Sequence, residues 1–378
     1  MIWKRDKRYK ESRSRYLGAA VIGPTGLEGS HFVPGVHVGS RFFPDLRNLA
    51  FSSEKWVIPL ADYGARNWGE LELLARDGKA TLPPRGVAIA EFDAAGATEP
   101  RIILPDVVAE PWLFPGDHTI DLFWTESWLP WYGFPDSGHD LHGVKHARIK
   151  QDQPIFSRVV YQSPAFPKGL IEWRHQILRL RKDRYDMVLS RHRHLPWADL
   201  GPESLMHVRD LASRSKDAGA KRIANAEAIA TFLALPLGND GIQVVWLEEE
   251  TNPDPSCGEP ALVRLVAVHY DGDSWSRRRV LAQHLGWKEE SLAAVAIPLG
   301  GRNAVLVVWK DENGHLAYTI GIPPDKWSAP RSTDLTIGDR NWLAYSDGYI
   351  VLVTKRGPEL YWSYLRVQSG RAGSTRRD

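Results

Sequence analysis

One cysteine, Cys257, stands in 378 residues. A lone thiol excludes an intrachain disulfide and a cysteine-based metal centre. It favours a reducing compartment, so a cytoplasmic protein is the expectation. Long apolar runs are missing too. No stretch approaches the roughly 18–20 apolar residues that span a bilayer, and the run 16–23, stopped by Pro24, is short and glycine-rich for a signal-peptide core. No membrane span is expected. Nor does one charge prevail: 48 Lys and Arg against 46 Asp and Glu leave a net +2, which excludes polyanion binding by the chain as a whole. The positive charge gathers at the ends. Residues 1–15 hold Lys4, Arg5, Lys7, Arg8, Lys10, Arg13 and Arg15, and the tail 369–378 holds Arg371, Arg376 and Arg377. Both are expected as flexible basic ends, the one place where nucleic acid would be a partner.

What the chain has in plenty is tryptophan and turn residues: 16 Trp, 32 Gly and 26 Pro. That mixture suits short strands and tight turns better than a helix bundle. A repeat confirms the bias. The segments 111–127, 233–250 and 295–314 each read as an apolar strand, a Gly-containing turn, a second apolar strand ending in Trp, then acidic residues. The marker tryptophans are Trp124, Trp246 and Trp309; the last two are 63 apart and the first two 122, or two steps of 61. A further hairpin, 177–190, fills the missing step. Segments 48–64, with Leu60 in the marker position, and 342–357 bring the copies to six. Each is followed by a looser strand–turn–strand unit, as in 264–281 and 316–333.

Six copies of four strands predict an all-β fold, a six-bladed β-propeller, with 16–368 as a single domain. The last copy runs out after one strand beyond its hairpin, 360–368. An unpaired edge is a liability, so a strand from 17–22 or 35–43 is expected to close the ring. The stretch 201–230 is richer in Ala and charge and predicts a short helical insertion.

The turn 268–275 carries Gly272 and Trp275 at the spacing of the Asp-box, Ser-x-Asp-x-Gly-x-x-Trp. Val268 and Tyr270 stand in its Ser and Asp positions; Trp327 and the pair Phe156–Ser157 echo it in other copies. In this respect the chain resembles the sialidase-like β-propellers. The resemblance implies the fold, and for activity it implies an Arg triad, an Asp acid/base and a Tyr nucleophile assisted by Glu. None of these can be placed residue by residue. Arg174, Arg179 and Arg181 share one hairpin, whereas that triad converges from separate blades.

The segment 125–143 is the most unusual stretch for function. Trp128, Trp131 and Tyr132 offer flat faces that stack on sugar rings, and His139, Asp140 and His142 offer polar groups for ring hydroxyls. Ordered packing of the same aromatics is the plainer alternative. His139, Asp140 and His142 also have ligand-like spacing, but no fourth ligand follows, so neither metal nor cofactor is expected. Glu110 stands just before the first strand of the hairpin 111–127 and Glu126 ends its second strand, and the two are the candidate catalytic pair; glycoside hydrolysis needs two carboxylates about 5 Å apart for retention or about 6.5–9.5 Å for inversion. Asp62, Glu249 and Asp311 are further candidates. No Ser-His-Asp order, phosphate loop or dinucleotide fingerprint is present. The reading is a non-catalytic recognition propeller for a carbohydrate or protein ligand. The alternatives are a glycoside hydrolase, which leaves the question of an enzyme open, and a structural subunit of a larger assembly.

Overall fold

The structure, a computed structural model, describes residues 2–9, 12–23, 26–37, 50–52, 55–63, 86–105, 111–116, 118–127, 141–150, 153–162, 170–181, 183–193, 203–212, 219–226, 229–249, 262–285, 291–338, 340–346, 348–356 and 359–367. Apart from single turns, the regular elements among them are antiparallel strands. The chain packs as two compact units, Met1–Phe166 with Ala212–Asp217, and Pro167–Leu211 with Ala218–Asp378.

In the first unit β1 (Ile2–Tyr9), β2 (Ser12–Gly23) and β3 (Gly26–His37) form a three-stranded meander. Two four-stranded meanders follow. One is β4 (Ala50–Ser52), β5 (Lys55–Tyr63), β6 (Gly86–Phe92) and β7 (Arg101–Pro105); the other is β8 (Pro111–Pro115), β9 (Ile120–Ser127), β10 (Leu141–Lys150) and β11 (Gln153–Gln162). The second unit continues the series with β12 (Leu170–Arg181), β13 (Arg184–Arg193), β14 (Glu203–Val208) and β15 (Lys221–Ala226). Next come β16 (Ile229–Leu237), β17 (Gly241–Glu249), β18 (Leu262–Tyr270) and β19 (Arg279–Leu285). The fifth sheet holds β20 (Ala293–Leu299), β21 (Arg302–Lys310) and β22 (His315–Ile322), with β23 (Lys326–Trp327) and β24 (Arg331–Thr336) both on β22. The last holds β25 (Arg340–Ser346), β26 (Tyr349–Arg356) and β27 (Glu359–Arg366). These six sheets match the six sequence copies one for one, and they are the blades of the β-propeller fold class.

The second strand of a blade is apolar throughout because both its faces are covered. In β21 the residues from Ala304 to Trp309 are all buried. Val305, Val307 and Trp309 join Val245 and Leu247 of β17 in one core; Ala304, Leu306 and Val308 join Ile350 and Leu352 of β26 in the next. The marker tryptophans occupy equivalent places. Trp124 packs among Val57, Val87 and Ile89 of the sheet before its own, Trp246 among Leu178, Val188 and Leu205, and Trp309 among residues of β17 and β18. First strands also stack in series: β4 lies on β8 in the first unit, and β12, β16, β20 and β25 lie side by side in the second.

Two expectations are corrected. No helix appears among the described residues of 201–230; Glu203–Val208 and Lys221–Ala226 are strands that pair with each other. Leu205 and Val208 are buried in that sheet, so packing overrides the helix propensity of the alanines. Among the described residues neither 17–22 nor 35–37 closes the ring: β2 lies between β1 and β3, and no ladder joins β3 to the last blade. The β2–β3 connection is two residues long, and so short a loop costs little entropy to close. Part of the alternative segment, 38–43, lies outside the described residues. The basic N-terminal residues Ile2–Tyr9 are strand β1.

Candidate functional site

Connection lengths give each of the first four blades two unlike ends. First-to-second strand turns take two to four residues: 53–54, 116–119, 182–183, 238–240, 300–301 and 347–348. At the other end the second-to-third connections of the first four blades are 64–85, 128–140, 194–202 and 250–261. Long connections on a rigid frame are where binding residues concentrate. The aromatic segment is one of these, and its base is fixed: Ser127 pairs with Leu141, Glu126 with Gly143, and a register shift falls at His142 between them.

Trp128, Trp131, Tyr132, His139 and Asp140 lie outside the described residues, as does Glu110. Glu126 and His142 are placed by backbone only, on β9 and β10. The structure thus brings Glu126 and His142 to the mouth of one connection and leaves the separation of Glu110 and Glu126 open. Asp311, a further candidate, is engaged elsewhere. Its Oδ1 accepts from the amides of Asn313 at 3.0 Å and His315 at 2.8 Å, closing the β21–β22 turn. Although burial opposes its charge, these amides hold its pKa below the ordinary aspartate value. Beside Glu249, the buried Glu248 accepts from Trp246 Nε1 at 3.1 Å.

Two clusters of ionisable side chains escaped the sequence reading. On β9 and β10, buried Asp121 receives Arg148 through Nε at 2.9 Å and a terminal nitrogen at 3.0 Å, and its Oδ1 lies 2.7 Å from His146 Nε2. The His146 ring stacks on Phe123 at 4.3 Å and meets the edge of Phe156 at 5.2 Å. On β13 and β14 the arrangement recurs. Asp186 lies 2.9 Å from His207 Nε2, accepts the Asp210 amide at 2.9 Å, and faces Arg184 at 3.2–3.3 Å. His207 stands edge-on to Tyr270 at 4.9 Å and Trp275 at 5.2 Å, rings of the following blade. Arg209 completes that contact, donating to the Gly272 carbonyl at 3.0 Å. Burial opposes the charge of Asp186, but the bonds from His207, the Asp210 amide and Arg184 outweigh it, and its pKa is lowered. Chemically both clusters are fasteners: the imidazoles are buried and lie against aromatic rings. A signal existed for them. His146-Ala147-Arg148 and His207-Val208-Arg209 are the same motif 61 residues apart, at the repeat spacing.

The turn 268–275, which resembles an Asp-box in sequence, is closed by an aspartate one place later than that pattern. Asp271 Oδ1 accepts the amides of Asp273 at 2.9 Å and Ser274 at 2.8 Å, and these hold its pKa down. Ser276 Oγ accepts the His269 amide at 2.9 Å while Tyr270 bridges to Trp275. The first blade repeats it without tryptophan: Asp93 Oδ1 accepts from Ala95 and Gly96, Thr98 Oγ1 from Glu91, and Phe92 bridges to Ala97. In the fifth blade Ser328 Oγ accepts from Ile320, and Trp327 lies so close on Gly321 that a Cβ there would come within 2.5 Å of its ring.

No protein-family model and no curated protein matches the chain. Solved structures similar to it include a fungal lectin of Aleuria aurantia, described as a six-bladed β-propeller with a fucose recognition mode. The two share 10% identity over 84% of this chain and 93% of the lectin, with a TM-score of 0.42. An α-L-arabinanase of Penicillium chrysogenum complexed with arabinobiose shares 12% over 85% of this chain and 94% of its own, at 0.46. A leech intramolecular trans-sialidase shares 11% over 87% and 70%, at 0.41. Its own sheets make the chain an all-β protein of propeller blades; the ligands named for those proteins remain theirs.

Proposed function

We propose that this protein is a recognition module that binds a carbohydrate or protein ligand through the segment 125–143. The observation that supports the reading is where that segment springs from. It joins two strands clasped at its mouth by the Ser127–Leu141 pair and further down by the Asp121–His146–Arg148 cluster. A binding loop gains affinity when its base is held rigid, because less ordering entropy is lost on association. In this reading Trp128, Trp131 and Tyr132 form the stacking surface, and His139, Asp140 and His142 bond ligand hydroxyls.

The test is a glycan-array screen followed by titration of any ligand found. Stacking on an aromatic platform contributes on the order of 1–3 kcal/mol for a nucleobase, and a sugar face is expected to fall near the lower end. Trp131→Ala should therefore weaken binding about tenfold while the melting curve is unchanged. The double change Glu110→Gln, Glu126→Gln should leave affinity largely intact, because amides still hydrogen-bond. Turnover of a glycoside that disappears in the double variant would replace this reading with hydrolysis.

A further inference from the structure

Each of the five preceding blades has a strand outside its third, whereas among the described strands nothing pairs outside β27. The orientation of its backbone follows from one bond. The Val367 amide donates to the Gly348 carbonyl at 2.7 Å, and the register continues through Leu365 with Ile350 and Ser363 with Leu352. In an antiparallel ladder, residues that bond one neighbour alternate with residues that face the other way. Ser363, Leu365 and Val367 therefore bond β26, and Trp362, Tyr364 and Arg366 turn their N–H and C=O groups outward. Large side chains line this edge in the open: Tyr361 is 42% exposed, Trp362 38%, Tyr364 49% and Leu365 66%.

The charge of this sheet is mainly basic. Arg340, Lys355, Arg356 and Arg366 are the charged side chains described in it, and the acid Glu359 stands opposite Arg356 at the start of β27, seven residues before Arg366. Arg356 lies 4.8 Å over the Tyr361 ring, and its buried Nε has no hydrogen-bond acceptor among the described residues. The chain's own continuation does not suit the place. Residues 368–378 carry Arg371, Arg376 and Arg377 against Asp378, and cross-strand pairs of like charge are unfavourable. A second copy would bring the same basic edge.

We propose that β27 is a docking edge for an extended acidic segment of a protein partner, which adds as the outer strand of the last blade. Main-chain bonds to Trp362, Tyr364 and Arg366 would give affinity. A carboxylate opposite Arg366 and β-branched or aromatic residues opposite Trp362 and Tyr364 would give selectivity. This site is separate from the segment 125–143, so the two readings stand or fall independently.

The probe is a fluorescein-labelled peptide of alternating glutamate and valine, titrated by anisotropy against the full chain. Saturable binding is expected. It should weaken about tenfold with Arg366→Glu and be lost with Tyr364→Pro, which removes one outward N–H from an edge that tolerates proline. Should that proline perturb the sheet, the unaltered protein and a peptide N-methylated at alternate residues make the same measurement, and binding should again vanish. Trp131→Ala should change nothing. Equal binding of a lysine–valine peptide or of the N-methylated one overturns the proposal, as does no binding at all. Binding that emerges only after residues 369–378 are deleted assigns the edge to the chain's own tail. Dimerisation abolished by Arg366→Glu assigns it to a second copy; either result also overturns the proposal.

Discussion

Asp186 is a carboxylate with no side-chain exposure, and its charge survives because His207, Arg184 and the Asp210 amide converge on it. Removing one member of such a set strands the others, which costs about 3–5 kcal/mol. Asp186→Ala should lose about 3 kcal/mol at neutral pH by urea denaturation. The pH dependence has a definite sign. The folded-state pKa is depressed, so the stabilisation is fully present above the ordinary aspartate value and fades as pH falls through that value toward the folded one. Parent and variant should therefore converge in strong acid; a gap that stayed constant from neutral pH downward would refute the assignment. These clusters were not legible in the sequence, although the His-x-Arg motif repeats. Asp121 and Asp186 look like any solvated acid until the second and third strands are paired.

At the scale of an element, the sequence was most legible where apolar residues repeat. The Trp that closes each strong hairpin marks the second strand of a blade, and Trp246 lies fully buried between two sheets. Trp246→Ala should cost about 3–5 kcal/mol in a denaturation series, far more than any change on the outer strands. The turns closed by an aspartate or a hydroxyl in the outer half of a blade were half legible. The tryptophans of the fourth and fifth blades mark them, while the first blade makes the same turn around Asp93 with Ala97 in the ring's place. What recurs in all three is a hydroxyl accepting a backbone amide across the turn, from Thr98, Ser276 and Ser328. Alanine at each should cost about 1 kcal/mol. A cost confined to the two turns with Trp would mean the ring, not the hydroxyl, sets the turn. The strands at Glu203–Val208 and Lys221–Ala226 were misread because local composition was weighed without the partner that each supplies to the other.

Across the whole chain, the six repeats of the sequence became six blades, but the first sheet was unforeseen. Since β1, β2 and β3 pair only among themselves in the described ladders, removing residues 1–37 takes away a complete sheet and exposes no new strand edge. The truncated protein should melt within a few degrees of the parent by circular dichroism. A large loss of melting temperature or the onset of aggregation would show that this sheet buries surface the rest requires.

Among the described residues nearly every ladder joins strands that are neighbours in the chain, the one departure being β24 on β22. This bears on how the protein is made. Pairings of short sequence separation close quickly, since little loop entropy stands in their way. A blade can therefore fold as soon as its own stretch has left the ribosome, without waiting for distant segments, and domains of large chains commonly fold in that order. The expense falls on the newest blade, whose apolar face stays wet until the following repeat is synthesised. A pause in translation just after a second strand such as β17 or β21 would leave the most oil-like strand of its blade uncovered, and it is there that a nascent chain of this kind has most need of a chaperone.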